Sequence, residues 1–187
     1  MSQSSKTNKT ISVITILLVV IAVVICVALL LFGTKKVWNI IAWVFALIAM
    51  IPSFIYACNG YRKDVAVYYK AFMGLYSLNA LISLISSIAT TISVGGIYSS
   101  YLSAVSHFIV LVGCLILIFA KDFGKQKSMI TAFCILAAQL FSFVRMLVKF
   151  CDVLNIVLGA SMNLIVAIVI CLFVYAKYLD KAARGTK

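Results

Sequence analysis

The chain has 187 residues, of which 65% are hydrophobic, and its formal net charge at pH 7 is +12. A soluble globular domain is only ~45–50% apolar, so this composition excludes an ordinary water-soluble protein. The apolar residues form unbroken runs of about twenty, the length of a helix that crosses a bilayer, rather than the ~10-residue alternating strands of a membrane barrel. The sequence therefore predicts an all-α, polytopic membrane protein.

Six spans are predicted, and together they form a single transmembrane domain over residues 1–187. They cover residues 11–32, 37–57, 71–94, 101–120, 128–150 and 155–176. The first run is about twice as long as the ~7–15-residue apolar core of a signal peptide, so we expect a retained helix. In the third span Ser83, Ser87 and Thr91 recur every four residues. This spacing favours close approach of another helix, with a wet path as the alternative.

Positive charge is distributed unevenly between the connections. With the N-terminus inside, cytosolic segments hold twelve of the sixteen Lys and Arg residues, and the outer side holds only Lys35, Lys36, Arg145 and Lys149. This bias predicts that both termini are cytosolic. Short connections and no cleavable signal favour the plasma (cytoplasmic) membrane. Because the basic residues lie mostly between the apolar runs, we expect them to contact membrane lipids, and we expect no nucleic-acid partner.

A weak internal repeat is visible in the span ends. The fourth and sixth spans end in an aromatic residue followed by Ala-Lys, at Lys121 and Lys177, and the third and fifth begin with Ala-Phe, at Ala71 and Ala132. This pattern suggests three helical hairpins related by an axis along the membrane normal. The rules that govern membrane interfaces would also produce such ends in each span separately, so both interpretations stay open.

Polar residues inside the last three spans predict a binding site. Arg145 lies inside the fifth span, where a charge costs roughly 2.5–3.5 kcal/mol at the bilayer centre and less near the interface. Lys149 lies four residues further along the same helix face. If the last three spans are neighbours, the arrangement predicts an outward-facing pocket for an anion or a carboxylate-bearing solute. The candidate substrate-binding residues are Arg145, Lys149, His107, Asn163, Gln139 and Asn79.

Each of these residues also has a plain structural interpretation. The Arg145 side chain can extend to the outer interface and share Asp152 with Lys149. His107 has no acidic residue on its helix, which favours a hydrogen-bonded packing residue over a proton relay. We therefore keep two interpretations of the polar residues, a solute site and helix packing.

Catalytic chemistry is not expected from this set of residues. The chain has one histidine and no glutamate, so metal-dependent proteolysis through His-Glu-x-x-His is excluded, and there is no glycine-rich phosphate loop. We expect no metal and no cofactor. The six cysteines include no Cys-x-x-Cys pair, and we expect no structural disulfide.

In size and span count the chain is similar to the vitamin-binding subunits of energy-coupling-factor transporters, a resemblance at the level of the fold. The small-x-x-x-small docking motif in the first helix of that family would correspond here to Ala22 and Cys26, whereas Ala42 and Ala46 lie in the second span. The expected function is a non-catalytic solute-binding or transport component that assembles with itself or with a partner subunit. The alternative is a structural or accessory membrane protein whose polar residues serve helix packing.

Overall fold

A computed structural model describes residues 3–33, 37–61, 66–93, 98–119, 124–148 and 153–184. Within these ranges it contains α-helices and no strand. Each helix is long and apolar enough to cross a membrane, so the predicted all-α fold with six such helices is confirmed. The helices are α1 (Gln3–Phe32), α2 (Val37–Cys58), α3 (Ala66–Ser93), α4 (Tyr98–Phe119), α5 (Lys125–Val148) and α6 (Val153–Arg184).

The first and last helices extend well beyond their predicted apolar spans. Helix α1 begins at Gln3 rather than at residue 11, and α6 ends at Arg184 rather than at residue 176. The segment of α6 after residue 176 contains Lys, Leu, Ala and Arg, which are good helix formers, so its backbone hydrogen bonding continues past the apolar run. The extension of α1 is rich in Ser, Thr and Asn, and helix propensity does not explain it. Hydropathy marks where a helix can enter a membrane and does not mark where the helix ends.

The helices form a closed bundle. Each packs against its neighbours in chain order, and α1 also packs against α6. Helix α6 additionally reaches across the bundle, because the ring of Phe173 contacts Tyr56 of α2 at 5.1 Å and Phe72 of α3 at 5.3 Å between centroids. The three predicted hairpins are each packed pairs, while their relation by symmetry stays a prediction. We call the end where α1 begins and α6 ends the termini end.

The small residues of α1 and α2 are used inside the chain. Ala22, Cys26 and Ala46 are each fully buried, with 0% of their surface exposed. The Cys26 thiol donates a hydrogen bond to the carbonyl oxygen of Trp43 at 3.0 Å, which ties α1 to α2. Small residues let two helix backbones approach closely in a membrane. The motif compared above with a docking surface is therefore occupied by a neighbouring helix of the same chain.

Helices α4 and α5 approach each other at a glycine. A Cβ atom at Gly113 would lie 2.7 Å from Cγ1 and 2.8 Å from Cδ1 of Ile135. Further along the same interface, the Ser106 hydroxyl of α4 donates a hydrogen bond to the carbonyl oxygen of Ala138 in α5 at 3.1 Å. A side chain at position 113 would push the helices apart, so this interface depends on glycine.

Candidate functional site

We group four uncharged polar side chains from α3, α5 and α6 as the candidate site and call them the polar site. They are Tyr76, Asn79, Gln139 and Asn163. Gln139 is 2% exposed and Asn79 is 5% exposed. The Tyr76 hydroxyl donates a hydrogen bond to Oδ1 of the half-buried Asn163 at 3.4 Å, which joins α3 to α6.

The register between α5 and α6 brings Gln139 to the level of Asn163. Near the termini end, the Ser128 hydroxyl lies 2.8 Å from the Tyr178 hydroxyl. Further along, the Cys171 thiol donates to the carbonyl oxygen of Ala132 at 3.4 Å. Continuing this antiparallel pairing by another two turns of each helix places residue 139 opposite residues close to 163. Both amides therefore occupy the half of the bundle away from the termini end.

The two buried amides can each take part in several hydrogen bonds. A side-chain amide offers two donor protons and an acceptor oxygen with two lone pairs. Among the described residues, the fully buried side-chain polar atoms without a hydrogen-bond partner are Asn8 Oδ1 and Ser53 Oγ, and no amide atom of Asn79 or Gln139 is one of them. Burying an amide in an apolar medium without a hydrogen bond is costly, so a polar molecule that reached either side chain would have a group to pair with.

His107 lies in α4 and is bonded to its own helix. Its Nδ1–H donates to the carbonyl oxygen of Ser103 at 2.8 Å. The Ser103 hydroxyl in turn lies 3.2 Å from the Ser87 hydroxyl of α3. This arrangement favours the packing interpretation of His107. The contact between Ser87 and Ser103 also favours close approach of another helix, instead of a wet path, as the use of the evenly spaced hydroxyls of α3.

Arg145 belongs to α5, but its side chain lies outside the described residues, and so does Lys149 altogether. Position 145 follows Gln139 by six residues, which separates the two by ~120° around the helix. The role of Arg145 and Lys149 in binding an anion stays a prediction.

At the termini end, α2 finishes in a capping motif. The Gly60 N–H donates to the carbonyl of Ala57 at 3.1 Å, and the Tyr61 N–H donates to the carbonyl of Tyr56 at 3.2 Å. Gly60 has a φ of 61°, in the left-handed region that glycine adopts freely. These bonds define a Schellman motif, whose usual apolar contact is made here by the rings of Tyr61 and Tyr56, 5.3 Å apart.

The motif folds Tyr61 back into the bundle. Its ring lies 5.7 Å from that of Phe173, and its hydroxyl donates to Oγ1 of Thr15 in α1 at 2.7 Å. Burial raises the pKa of Tyr61 to about 12, although hydrogen bonds with Thr15 and Ser12 act in the opposite direction. We call the buried rings at this end the aromatic cap, which consists of Tyr56, Tyr61, Tyr69, Phe72 and Phe173.

Sequence reasoning missed both Tyr76 and the aromatic cap. Tyrosines near span ends are typical of the membrane interface, where their hydroxyls meet water. Here Tyr56, Tyr69 and Tyr76 are at most 4% exposed. The available signal was Asn59-Gly60 directly after an apolar run, since this pair is typical of a helix C-terminus that turns the next residue back onto the helix.

Comparison of the chain with protein-family models, with curated proteins and with solved structures finds no match. In the part of the chain that the structure describes, no group of three or more His, Cys, Asp or Glu side chains is placed to hold a metal ion. The polar site and the aromatic cap are therefore the features of the molecule from which a function is proposed.

Proposed function

We propose that this protein is a non-catalytic, multi-pass membrane protein that binds a small polar solute at the polar site. The observation that carries the proposal is the burial of two side chains with strong hydrogen-bonding groups, Asn79 and Gln139, at 5% and 2% exposure among apolar helices. Burying such a group in an apolar medium costs free energy, and a solute that pairs with it returns that cost only while bound.

The proposed orientation places the termini end in the cytosol and the polar site in the outer half of the bilayer. The excess of Lys and Arg in the segments at the termini end supports this orientation. The aromatic cap would then separate the polar site from the cytosol, and a solute would reach the site from outside. The plasma membrane is the membrane that we propose.

The second candidate is a structural or accessory membrane protein. It is favoured by hydrogen bonds that join neighbouring helices without forming any shared site. Ser87 pairs with Ser103 between α3 and α4, and Ser106 bonds the Ala138 carbonyl between α4 and α5. Bonds of this kind are worth about 0.6 kcal/mol each on average in a membrane protein, so several of them stabilise a bundle without any ligand.

The test replaces the most deeply buried amide. Gln139→Leu is compared with wild-type protein in lipid nanodiscs, and the free energy of unfolding is measured with and without a panel of small polar solutes. The matched control is Gln126→Leu, because Gln126 is exposed at the start of α5. A solute site predicts that Gln139→Leu is at least as stable as wild type without solute and no longer responds to a solute that stabilises wild type.

The structural candidate predicts a different result. There no solute of the panel would stabilise wild type, and Gln139→Leu would change stability only through the packing of the side chain. Assembly with itself or with a partner subunit is a separate proposal. Protein purified from native membranes with the mass of a single chain would count against assembly.

A further inference from the structure

We infer that the aromatic cap is a latch, in which the hydrogen bond from Tyr61 to Thr15 holds the termini end of the bundle closed beneath the polar site. The inference rests on the proposed function, because it describes how access to that site is regulated. The latch would lie on the cytosolic side of the polar site, whereas the solute is proposed to enter from outside. Opening the latch would connect the polar site with the cytosol.

The cap and the polar site are parts of one continuous column of rings. Tyr61 contacts Phe173, which contacts Phe72 at 5.3 Å. Phe72 lies parallel to Tyr76, with 6.2 Å between centroids and an angle of 9° between planes. The Tyr76 hydroxyl then reaches Asn163 in the polar site. A displacement of Tyr61 would remove the support of Phe173 and, through it, of the rings below the solute.

The backbone at Tyr61 is held in a conformation that it does not prefer. Its φ is 63°, in the left-handed region, where the Cβ of a tyrosine crowds the neighbouring carbonyl oxygen. Such a conformation persists only where surrounding contacts impose it. The contacts that impose it here are the Thr15 hydrogen bond and the rings of Tyr56 and Phe173. Losing them would therefore release strain, which favours a second backbone conformation at Tyr61.

The tie itself is local and specific. Thr15 lies in α1 with 0% of its surface exposed, and its hydroxyl oxygen accepts the hydrogen bond from the Tyr61 hydroxyl. The nearby Ser12 hydroxyl donates to the carbonyl oxygen of Ala57, at the end of α2. These two bonds attach the end of α2 and the turn after it to α1. Of the two, the bond from Tyr61 to Thr15 is the one that keeps a ring of the cap in place.

Cys114 supplies a reporter for opening. It is fully buried and belongs to the same buried cluster as Tyr69 and Tyr76. In a variant that keeps Cys114 as its single cysteine, a polar maleimide reacts in nanodiscs only when the bundle opens. Thr15→Val preserves the shape of the side chain and removes the acceptor, and Tyr61→Phe preserves the ring and removes the donor.

We expect each change to raise the rate of Cys114 labelling by about tenfold, the effect of a buried hydrogen bond that is present only in the closed state. Thr15→Ser, which keeps the hydroxyl, should restore slow labelling. The matched control is Ser128→Ala, which removes a second hydroxyl pair at the termini end, between the buried Ser128 and the half-buried Tyr178, and should leave the rate unchanged. Unfolding temperatures close to wild type verify that the variants are folded.

Equal labelling of Thr15→Val and wild type would overturn the latch, as would equal acceleration by Ser128→Ala. Stabilisation by the solute panel is measured independently of the rate of Cys114 labelling. If solutes stabilise wild type while labelling is unaffected by Thr15→Val, the latch is wrong and the solute site stands. If Thr15→Val accelerates labelling while no solute binds, the latch stands and the proposed function fails.

Discussion

Replacing Gly113 by alanine tests the closest approach of two helices in the bundle. The added Cβ would lie 2.7 Å and 2.8 Å from two atoms of Ile135, and 3.6 Å from Cγ2 of Thr131. Carbon atoms at optimal separation are ~3.5–4.0 Å apart, so Ile135 would have to move by most of an ångström. Overpacking of this kind costs about 1–3 kcal/mol. We expect Gly113→Ala to reduce the free energy of unfolding by that amount.

The measurement is reversible unfolding of the purified protein in a membrane-mimetic bilayer. Gly74→Ala is the matched control, because a Cβ at Gly74 would meet nothing within 4 Å. It should be neutral or stabilising by up to ~1 kcal/mol, since alanine is the better helix former. In the double variant Gly113→Ala/Ile135→Ala the contact is gone, so the two losses should not add.

Two results would refute the reasoning about this interface. One is a Gly113→Ala variant as stable as Gly74→Ala. The other is strict additivity of Gly113→Ala and Ile135→Ala, which would mean that the two residues do not touch. Either would show that α4 and α5 are further apart than the contacts between Gly113 and Ile135 require.

Three further predictions use other parts of the chain. Arg145→Met should be clearly more stable than wild type in nanodiscs if the arginine is kept for a ligand, and less stable by more than about 1 kcal/mol if it is a structural partner. The raised pKa of Tyr61 contributes stability that is fully present below pH 10 and is lost as the pH rises from 10 to about 12. The difference in tyrosinate absorbance between wild type and Tyr61→Phe should appear only towards the upper end of that range. A difference at pH 10 would contradict the raised pKa. Cys58, which is exposed at the termini end, should react in a variant with no other cysteine only with impermeant maleimide supplied from the cytosolic side, and labelling from outside would reverse the proposed orientation.

The fold could be predicted from the sequence because bilayer thickness sets the length of an apolar run. The end of α6 could not, since good helix formers such as Lys, Ala and Arg continue the helix beyond the apolar run, and the start of α1 could not, since it lies among Ser, Thr and Asn residues that do not favour a helix. Within the candidate site, the depth of Gln139 and Asn79 follows from counting residues along a span. The partner of a polar residue does not follow in this way. His107 bonds the carbonyl of Ser103 on its own helix, and this choice depends on rotamer and helix contacts that no spacing reveals.

The aromatic cap illustrates a second limit. Tyrosine has one side for apolar contact and one for hydrogen bonding, so the same residue suits the membrane interface and a buried position with a partner. Only the position of Thr15, far away in the chain, decides between them for Tyr61. That pairing spans α1 and the turn after α2, and an isolated hydropathy pattern carries no information about it.

The contact between α1 and α6 has a consequence for how the protein is made. The first helix leaves the ribosome while its final neighbour is still unsynthesised, and α6 supplies both that neighbour and the ring of Phe173 at the centre. Until α6 is inserted, the polar faces of the earlier helices cannot be buried in a completed bundle core. A nascent chain interrupted before α6 would therefore depend on lipid, the insertion machinery or a membrane chaperone to shield those faces, and it should be a preferred substrate for membrane quality control.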